Sequence, residues 1–465
     1  MVSKSNRYRR LAGDTLILSL GLLGTKVIQF LLLPYFTNKL STAEYGVIDV
    51  GITFASLCVP VVTFNIADAV LRFGLGRDAD YKQLFSSTVF IILVATIVAC
   101  ACSPLIRLYR ILADWYLYVT AIIIAQIFKT EISLFIKSEN KLKLFALDSV
   151  LMATVIAIFD IISISVLNMG IQGYFLSEIS GNILSSIFLF VAGKLYKYID
   201  IGSIKNTSYA ISMVKYSAPL LLNAVSWWIT TFSDRFVLSL YSTESDIGIY
   251  SVSAKMPAVI TAALSVFTQA WIISAVKEYE SNKDTSFYEN VYKFYESFLA
   301  CSVVVCTLLI KPFMSIYVGK DFISSWMYVP VLLFGVMYLG ISNFYGGIYS
   351  ASKRNVSESI STMICAISNI VLNFILIPRF NIWGACVATA VSYVILVIYR
   401  AVQTRQMVSI RVNWIILFIN SLLVFCEIIM VENSKYMIAT LIALIAVFLN
   451  IKKLLTGLKI VLSRR

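Results

Sequence analysis

The chain contains no histidine. That excludes histidine-based catalytic triads, imidazole metal sites and imidazole proton relays. Charge is also scarce. Asp, Glu, Lys and Arg make up 14% of the 465 residues, hydrophobic residues make up 59%, and mean hydropathy is +0.85. A soluble domain of this size needs far more charge to cover its surface. The eight cysteines (Cys58, Cys100, Cys102, Cys301, Cys306, Cys365, Cys386 and Cys426) form no CxxC pair and lie in or beside apolar runs. They read as reduced packing residues, not a disulfide frame. Long polar connections are missing too. The longest, Lys277 to Lys293, is expected to be partly helical, and the outward loops are too short for a catalytic platform.

What the chain has in quantity is apolar runs of about 20 residues, each long enough to cross a bilayer. They are continuous and do not alternate with period two, which argues against a β-barrel. The expected spans are 11–33, 46–71, 84–106, 112–136, 144–167, 171–193, 216–233, 247–275, 294–310, 328–350, 357–377, 383–399, 412–431 and 436–451. The fold class is therefore an all-α polytopic membrane protein of about 14 transmembrane helices. The basic N-terminus (Met1 to Arg10) precedes an apolar run that contains Lys26 and shows no small-x-small cleavage site, so this run is expected to be a retained first span.

The net charge of +13 is a matter of topology. Of the 38 Lys and Arg, 27 fall in the two termini and the even-numbered loops, eight in the odd-numbered loops, and Lys26, Lys129 and Lys255 within spans. The bias places both termini in the cytoplasm and gives no nucleic-acid footprint.

An internal repeat is visible. Leu40-Ser-Thr-Ala-Glu-Tyr-Gly46 resembles Tyr241-Ser-Thr-Glu-Ser-Asp-Ile-Gly248, and Met169-Gly-Ile-Gln-Gly173 resembles Phe380-Asn-Ile-Trp-Gly384. Six spans separate the copies, which predicts a parallel repeat. The expected organisation is two pseudo-symmetric six-helix lobes, 1–205 and 206–405, followed by two further helices and a basic tail, 406–465. Folds of this kind bind substrate between the lobes and rock one against the other.

Polar residues recur at helical spacing on four spans. Span 1 carries Asp14, Thr25, Lys26 and Gln29, and span 2 carries Asp49, Thr53, Ser56, Pro60 and Thr63. Span 7 carries Pro219, Asn223, Ser226, Thr230 and Asp234, and span 8 carries Ser251, Lys255, Ser265 and Gln269. Small polar residues serve helix–helix packing, but a lysine facing lipid or dry packing is costly, so Lys26 and Lys255 point to a wet cavity. The other intramembrane charges read differently. Lys129 and Glu131 suit interface anchoring as well as function, Asp68 and Arg72 suit an i, i+4 pair, and Asp234 and Arg235 suit a gate or an anchor. Asp160 and Glu178 are deeper carboxylates without an evident partner, and Glu427 is unexplained.

Three stretches together resemble bacterial O-antigen and polysaccharide flippases of the multidrug/oligosaccharidyl-lipid/polysaccharide exporter superfamily. They are LGLLGTKVIQFLLLPYFTNKLSTAEYGVIDV (Leu20 to Val50), DRFVLSLYSTESDIGIYSVSAKMPAVITAALSVFTQAW (Asp234 to Trp271), and the segment from Gly346 to Ile395 with its N-x-x-L-N-x-x-x-I-P pattern. The resemblance implies two six-helix lobes around a central cavity. It implies an undecaprenyl-pyrophosphate-linked oligosaccharide as substrate, with membrane lipid, a polysaccharide polymerase and a chain-length regulator as partners, and neither cofactor nor metal. Related lipid II flippases carry cavity cations on the first, second and eighth helices. Lys26 and Lys255 match the first and eighth, but span 2 has Asp49 at that depth and Arg72 only at its end.

The sequence-level expectation is a non-enzymatic, alternating-access flippase for surface polysaccharide (O-antigen, lipopolysaccharide or capsule) in the bacterial inner membrane. Lys26, Lys255, Gln29, Asn223, Gln269 and Arg235 are the candidate substrate-binding residues, with Trp227, Trp228 and Trp271 as possible sugar platforms. Asp14, Asp49 and Asp160 are the candidate ion-coupling sites. A multidrug exporter of the same superfamily is one rival, although it would favour an acidic cavity. A membrane polymerase is another, but it would need a large outer loop.

Overall fold

The computed structural model describes residues 21, 24–76, 79–200, 202, 207–281 and 285–463, with the side chains at 223, 227, 263, 266 and 457–463 left out. Fifteen α-helices run through them: α1 (24–39), α2 (Thr42–Val62), α3 (Ile66–Gly74), α4 (Tyr81–Ile106), α5 (Tyr116–Ser138), α6 (Leu142–Asp160), α7 (Gly170–Ala192), α8 (Thr207–Tyr241), α9 (Glu244–Ser281), α10 (Thr285–Tyr317), α11 (Val329–Ala351), α12 (Asn355–Phe380), α13 (Ile382–Thr404), α14 (Trp414–Glu432) and α15 (Tyr436–Ser463). Among the described residues, twelve helical segments are long and apolar enough to cross a membrane. This is a multi-pass, all-α membrane protein. The expected spans 11–33, of which 11–20, 22 and 23 lie outside the described residues, and 216–233 overlap α1 and α8, which are not among the twelve.

Two expectations need correction. The second span, read as one run over 46–71, is two helices. Pro60 cannot donate its backbone hydrogen bond, and Phe64 and Asn65 both turn into the left-handed region (φ 53° and 54°), separating α2 from α3. Asn65 Nδ2 then donates to Asp68 Oδ2 at 2.7 Å. That local bond takes the place of the Asp68–Arg72 pair expected from i, i+4 spacing. The second correction concerns Arg235 and Arg400, which fall just beyond the expected spans 216–233 and 383–399 and are therefore counted with the loop cations. Both lie inside helices, α8 and α13, and are buried.

The chain divides into two compact units, Met1–Trp228 and Ile229–Arg465. In the first, α5 packs against α2, α3, α4 and α7. Ile66, Ala69 and Val70 of α3 meet Leu84 and Phe85 of α4, with Phe135 of α5 and Met213 of α8, in one apolar cluster. In the second, α11 is the centre, packed by α9, α10 and α13, and most of its side chains are buried. Glycine is required there at Gly347: a Cβ would stand 2.3 Å from Trp271 Nε1, whose N–H donates to the Phe344 carbonyl at 2.8 Å.

The sequence repeat performs the same local work twice. Ser41 and Glu44 form a reciprocal capping box at the start of α2, with Ser41 N donating to Glu44 Oε2 at 2.9 Å and Glu44 N to Ser41 Oγ at 3.3 Å. Thr243 and Asp246 do likewise at the start of α9, at 3.1 and 3.2 Å. Similarly, α7 and α13 each begin beside a left-handed residue, Gly170 (φ 52°) and Asn381 (φ 51°).

Candidate functional site

In the second unit the polar groups converge on one carboxylate. The tight turn after α8 brings α9 back along it, so the Tyr250 hydroxyl reaches Asp234 Oδ2 and donates to it. Asn369 and Asn373 are four residues apart on α12 and therefore share a face. Asn373 Nδ2 donates to Asp234 Oδ1 at 2.6 Å and Asn369 Nδ2 to the same oxygen at 3.2 Å. Thr389 Oγ1 of α13 donates to Oδ2 at 2.8 Å, and Ser233 Oγ donates to Asn369 Oδ1. Asp234, Asn369 and Asn373 are at most 3% exposed. Asn373 Oδ1 accepts no hydrogen bond.

Next to this cluster, the Arg235 guanidinium donates through Nη1 to the Thr231 carbonyl at 2.9 Å and lies 5.6 Å from the Tyr250 ring centroid. Among the described residues no group of three or more Cys, Asp or Glu is placed to hold a metal ion. The Asp234 cluster instead turns the amide N–H groups of Asn369 and Asn373 and the hydroxyls of Tyr250 and Thr389 toward one carboxylate, which is satisfied internally.

The first unit treats its carboxylates differently. Asp160 closes α6, where the helix widens into a π-type turn over Ile161–Val166, and such widened turns recur at functional sites. Its side chain is 1% exposed and neither carboxyl oxygen accepts a hydrogen bond. Glu178 acts on it electrostatically, and Tyr174 lies within electrostatic range of Asp160, Glu178 and Asp49 together. A separate ion pair ties α5 to α6: Lys129 Nζ is 3.1 Å from Asp148 Oδ2, and Ser185 Oγ of α7 donates to Asp148 Oδ1 at 2.6 Å. Glu131, buried on α5, has no hydrogen-bond partner for either oxygen.

The predicted site residues fall into distinct settings. Lys26 and Gln29 are exposed on α1 and joined by a 3.3 Å hydrogen bond. Lys255 and Gln269 are exposed on α9. Asp49 is buried on α2 and Arg235 on α8. Asp14 lies outside the described residues, as do the side chains of Asn223 and Trp227. Trp271 is no sugar platform: it is 3% exposed and stacked on Phe344 at 4.6 Å between centroids. Lys129 is not an interface anchor either, because its ammonium is held by Asp148.

Sequence reasoning missed Asp148, Tyr250, Asn369, Asn373, Thr389 and Arg400. The i, i+4 asparagines within the N-x-x-L-N pattern were a usable signal for a polar helix face. Arg400 gave none. Its guanidinium is 2% exposed and saturated by Ser361 Oγ (2.9 Å), the Ser342 carbonyl (2.9 Å) and Thr362 Oγ1 (3.1 Å). Nothing in the structure explains Glu427, buried on α14 without a partner.

The fold is that of lipid and drug transporters. The lipid II flippase MurJ in an inward closed conformation superposes with a TM-score of 0.73 at 17% identity, covering 94% of this chain and 98% of that one. An inward-facing multidrug MATE transporter superposes with a TM-score of 0.61 at 13% identity, covering 85% and 94%. Among curated proteins, the chain is 26% identical over 226 residues to the "Probable low-salt glycan biosynthesis flippase Agl15" of Haloferax volcanii, covering 46% of each chain. It is 25% identical over 186 residues to the capsular polysaccharide biosynthesis protein CapF of Staphylococcus aureus, covering 39% of this chain and 47% of that protein. The matched regions thus span about half the length of these curated relatives. The family described as "Polysaccharide biosynthesis protein" matches residues 11–273, more than half of the chain, and the chain belongs to that family.

Proposed function

We propose that the protein is a flippase that moves undecaprenyl-pyrophosphate-linked oligosaccharide repeat units across the bacterial cytoplasmic membrane by alternating access, for O-antigen or capsule assembly. The observation that carries this reading is the exposure of Lys26 and Lys255 on helices of a polysaccharide-biosynthesis family member. A pyrophosphate leaving water requires cations, and lysine ammonium groups supply them as point charges. Gln29, Gln269 and Asn223 offer amides to sugar hydroxyls, and Arg235 stands as a further cation on α8. The similarity to a glycan flippase and to a capsule-assembly protein supports the substrate class.

In this reading the count of spans is fourteen, with α1 and α8 joining the twelve, and both termini are cytoplasmic. Domains 1–205, 206–405 and 406–465 correspond to two lobes and a C-terminal pair of helices. A polymerase and a chain-length regulator receive the product. Coupling to an ion gradient falls to Asp14, Asp49 or Asp160, and Asp160 suits it because a buried carboxyl without a well-formed hydrogen bond gains from taking up a proton or cation.

The test is a deletion in the native host complemented with wild type or Lys255→Gln, scoring surface polysaccharide and lipid-linked intermediates together. The expected outcome for both the deletion and the variant is lost polysaccharide, with single repeat units trapped on the cytoplasmic leaflet. Unpolymerised units outside would identify a polymerase. Intact polysaccharide with new sensitivity to cationic dyes would identify a multidrug exporter.

A further inference from the structure

Along α13, one surface groove of about 520 Å³ is lined by Ile395, Ile398, Tyr399, Val402, Gln403 and Gln406. Ile395, Ile398, Tyr399, Val402 and Gln403 recur at helical spacing, so they form one stripe about 12 Å long along the helix axis, and Gln406 follows in the turn after it. The stripe changes character along its length. Ile395, Ile398 and Val402 make its inner part apolar, while Tyr399, Gln403 and Gln406 bring polar atoms toward the C-terminal end. The volume falls within the roughly 300–1,000 Å³ of small-molecule sites.

No lining residue is charged, but the end of this groove adjoins two basic turns. Tyr349 at the end of α11 donates to Gln403 Oε1 at 2.5 Å, and Ser352 Oγ lies 3.2 Å from Met407 Sδ, so the α11–α12 turn sits against the end of α13. That turn carries Lys353 and Arg354, and α13 is followed by Arg405. All three are exposed, and none forms an ion pair among the described residues. A helix C-terminus alone repels an anion through its dipole. Three exposed cations on the adjoining turns, none in an ion pair among the described residues, oppose that sign. An apolar trough running into a cationic, amide-rich mouth matches an amphiphile with an acyl chain and an anionic headgroup.

We propose that this groove is a binding site for one resident anionic phospholipid of the cytoplasmic leaflet. Its acyl chain lies along Ile395, Ile398 and Val402, and its phosphate is held by Lys353, Arg354 and Arg405, with the amides of Gln403 and Gln406 beside it. The inference rests on the cytoplasmic placement of this loop and not on the transport reading. Basic surface near the membrane discriminates anionic from neutral lipid at about fivefold per charge.

The full-length protein in nanodiscs of phosphatidylcholine with a minor fraction of phosphatidylglycerol provides the test, with retained lipid measured by native mass spectrometry after release. Wild type is expected to retain about one phosphatidylglycerol in preference to phosphatidylcholine. The Lys353→Gln/Arg354→Gln/Arg405→Gln variant should lose roughly 100-fold of that preference. Val402→Trp, which fills the trough and leaves the charges in place, should also lose the retained lipid at unchanged helical circular dichroism. Equal retention in both variants, equal retention of phosphatidylcholine by wild type, or displacement of the retained lipid by an undecaprenyl-pyrophosphate saccharide would overturn the proposal. If export fails while lipid retention persists, the transport reading falls and the lipid site stands.

Discussion

Asp160 in the first unit and Asp234 in the second are both carboxylates buried in apolar helices, yet they are solvated in opposite ways. Asp234 accepts from Tyr250, Asn369, Asn373 and Thr389, whereas Asp160 has only the Ser177 hydroxyl nearby, and neither of its oxygens accepts a well-formed hydrogen bond. A buried anion is tolerated where hydrogen-bond donors replace water, and it is strongly disfavoured where none do. The second unit has therefore built its carboxylate into the packing of four helices. The first has left one that gains from binding a proton or cation. Similar depth and identical chemistry do not give the same role.

The largest expected effect follows from that contrast. Asp234→Ala leaves four donors without their acceptor in a dry cluster and should destabilise the protein by about 3 kcal/mol or more. Asp160→Asn replaces a carboxyl that the packing favours in its neutral form with a neutral amide of similar shape, so it should change stability by less than about 1 kcal/mol while abolishing any pH or cation dependence of transport. Thermal unfolding in detergent measures the first quantity and transport in proteoliposomes the second. Equal destabilisation by the two variants would dissolve the contrast.

The first unit also holds a fully buried carboxylate that is engaged, Asp148, and it sharpens the comparison because its partner is a cation. Lys129→Met should cost about 3 kcal/mol by stranding Asp148 at 0% exposure. The double variant Lys129→Met/Asp148→Leu should recover most of that loss, since an apolar pair of similar volume substitutes well for a buried ion pair. A double variant as unstable as the single one would mean that Asp148 serves α7 through Ser185 more than it serves Lys129.

How much of this was legible beforehand depends on the reach of the interaction. Helices and their approximate ends follow from runs of apolar residues, a local property, and the capping boxes at Ser41 and Thr243 were visible as a repeated pattern. The break at Phe64–Asn65 was not anticipated, because residues 46–71 read as one apolar run despite Pro60. The site partners were harder still. Lys129 suited an anchor as well as a functional role because its acid lies on another helix, and Trp271 was a candidate sugar platform because its stacking partner, Phe344, is more than 70 residues away. Arg400 looked like a loop cation because sequence gives no sign that Ser342, Ser361 and Thr362 would surround it. Asp234 was recognised as notable but not as a hub, since three of its four donors come from α12 and α13.

The repeated caps offer a smaller and more symmetrical test. Ser41→Ala and Thr243→Ala remove the same side-chain acceptor from the same position of two equivalent helices, and each should cost about 1 kcal/mol. Equal losses in thermal unfolding would indicate that the two units are energetically as well as sequentially repeated at this point. A large difference would mean that one cap carries a further load.

The smallest effect concerns a feature of the first unit outside its spans. After α7, Lys194 takes a left-handed conformation (φ 57°), and the turn Leu195–Tyr198 folds back so that the Tyr198 hydroxyl donates to Glu139 Oε1 at 2.6 Å. Lys141 holds the other Glu139 oxygen at 3.0 Å and donates to the Gly193 carbonyl at 2.9 Å. The hydrogen bond to Glu139, helped by partial burial, raises the Tyr198 hydroxyl from its ordinary 10.0 to about 12. A raised value favours the protonated form in the folded state. The bond's contribution is therefore complete below pH 10 and is lost as pH rises through 12. Tyr198→Phe should cost roughly 0.5–1 kcal/mol, since the pair is only half-buried, and the loss should be the same at pH 6 and pH 9. Limited proteolysis after residue 194 provides the readout. A Tyr198→Phe effect that fades between pH 6 and pH 9 would show that the turn is held by a different titrating group than this tyrosine–glutamate bond.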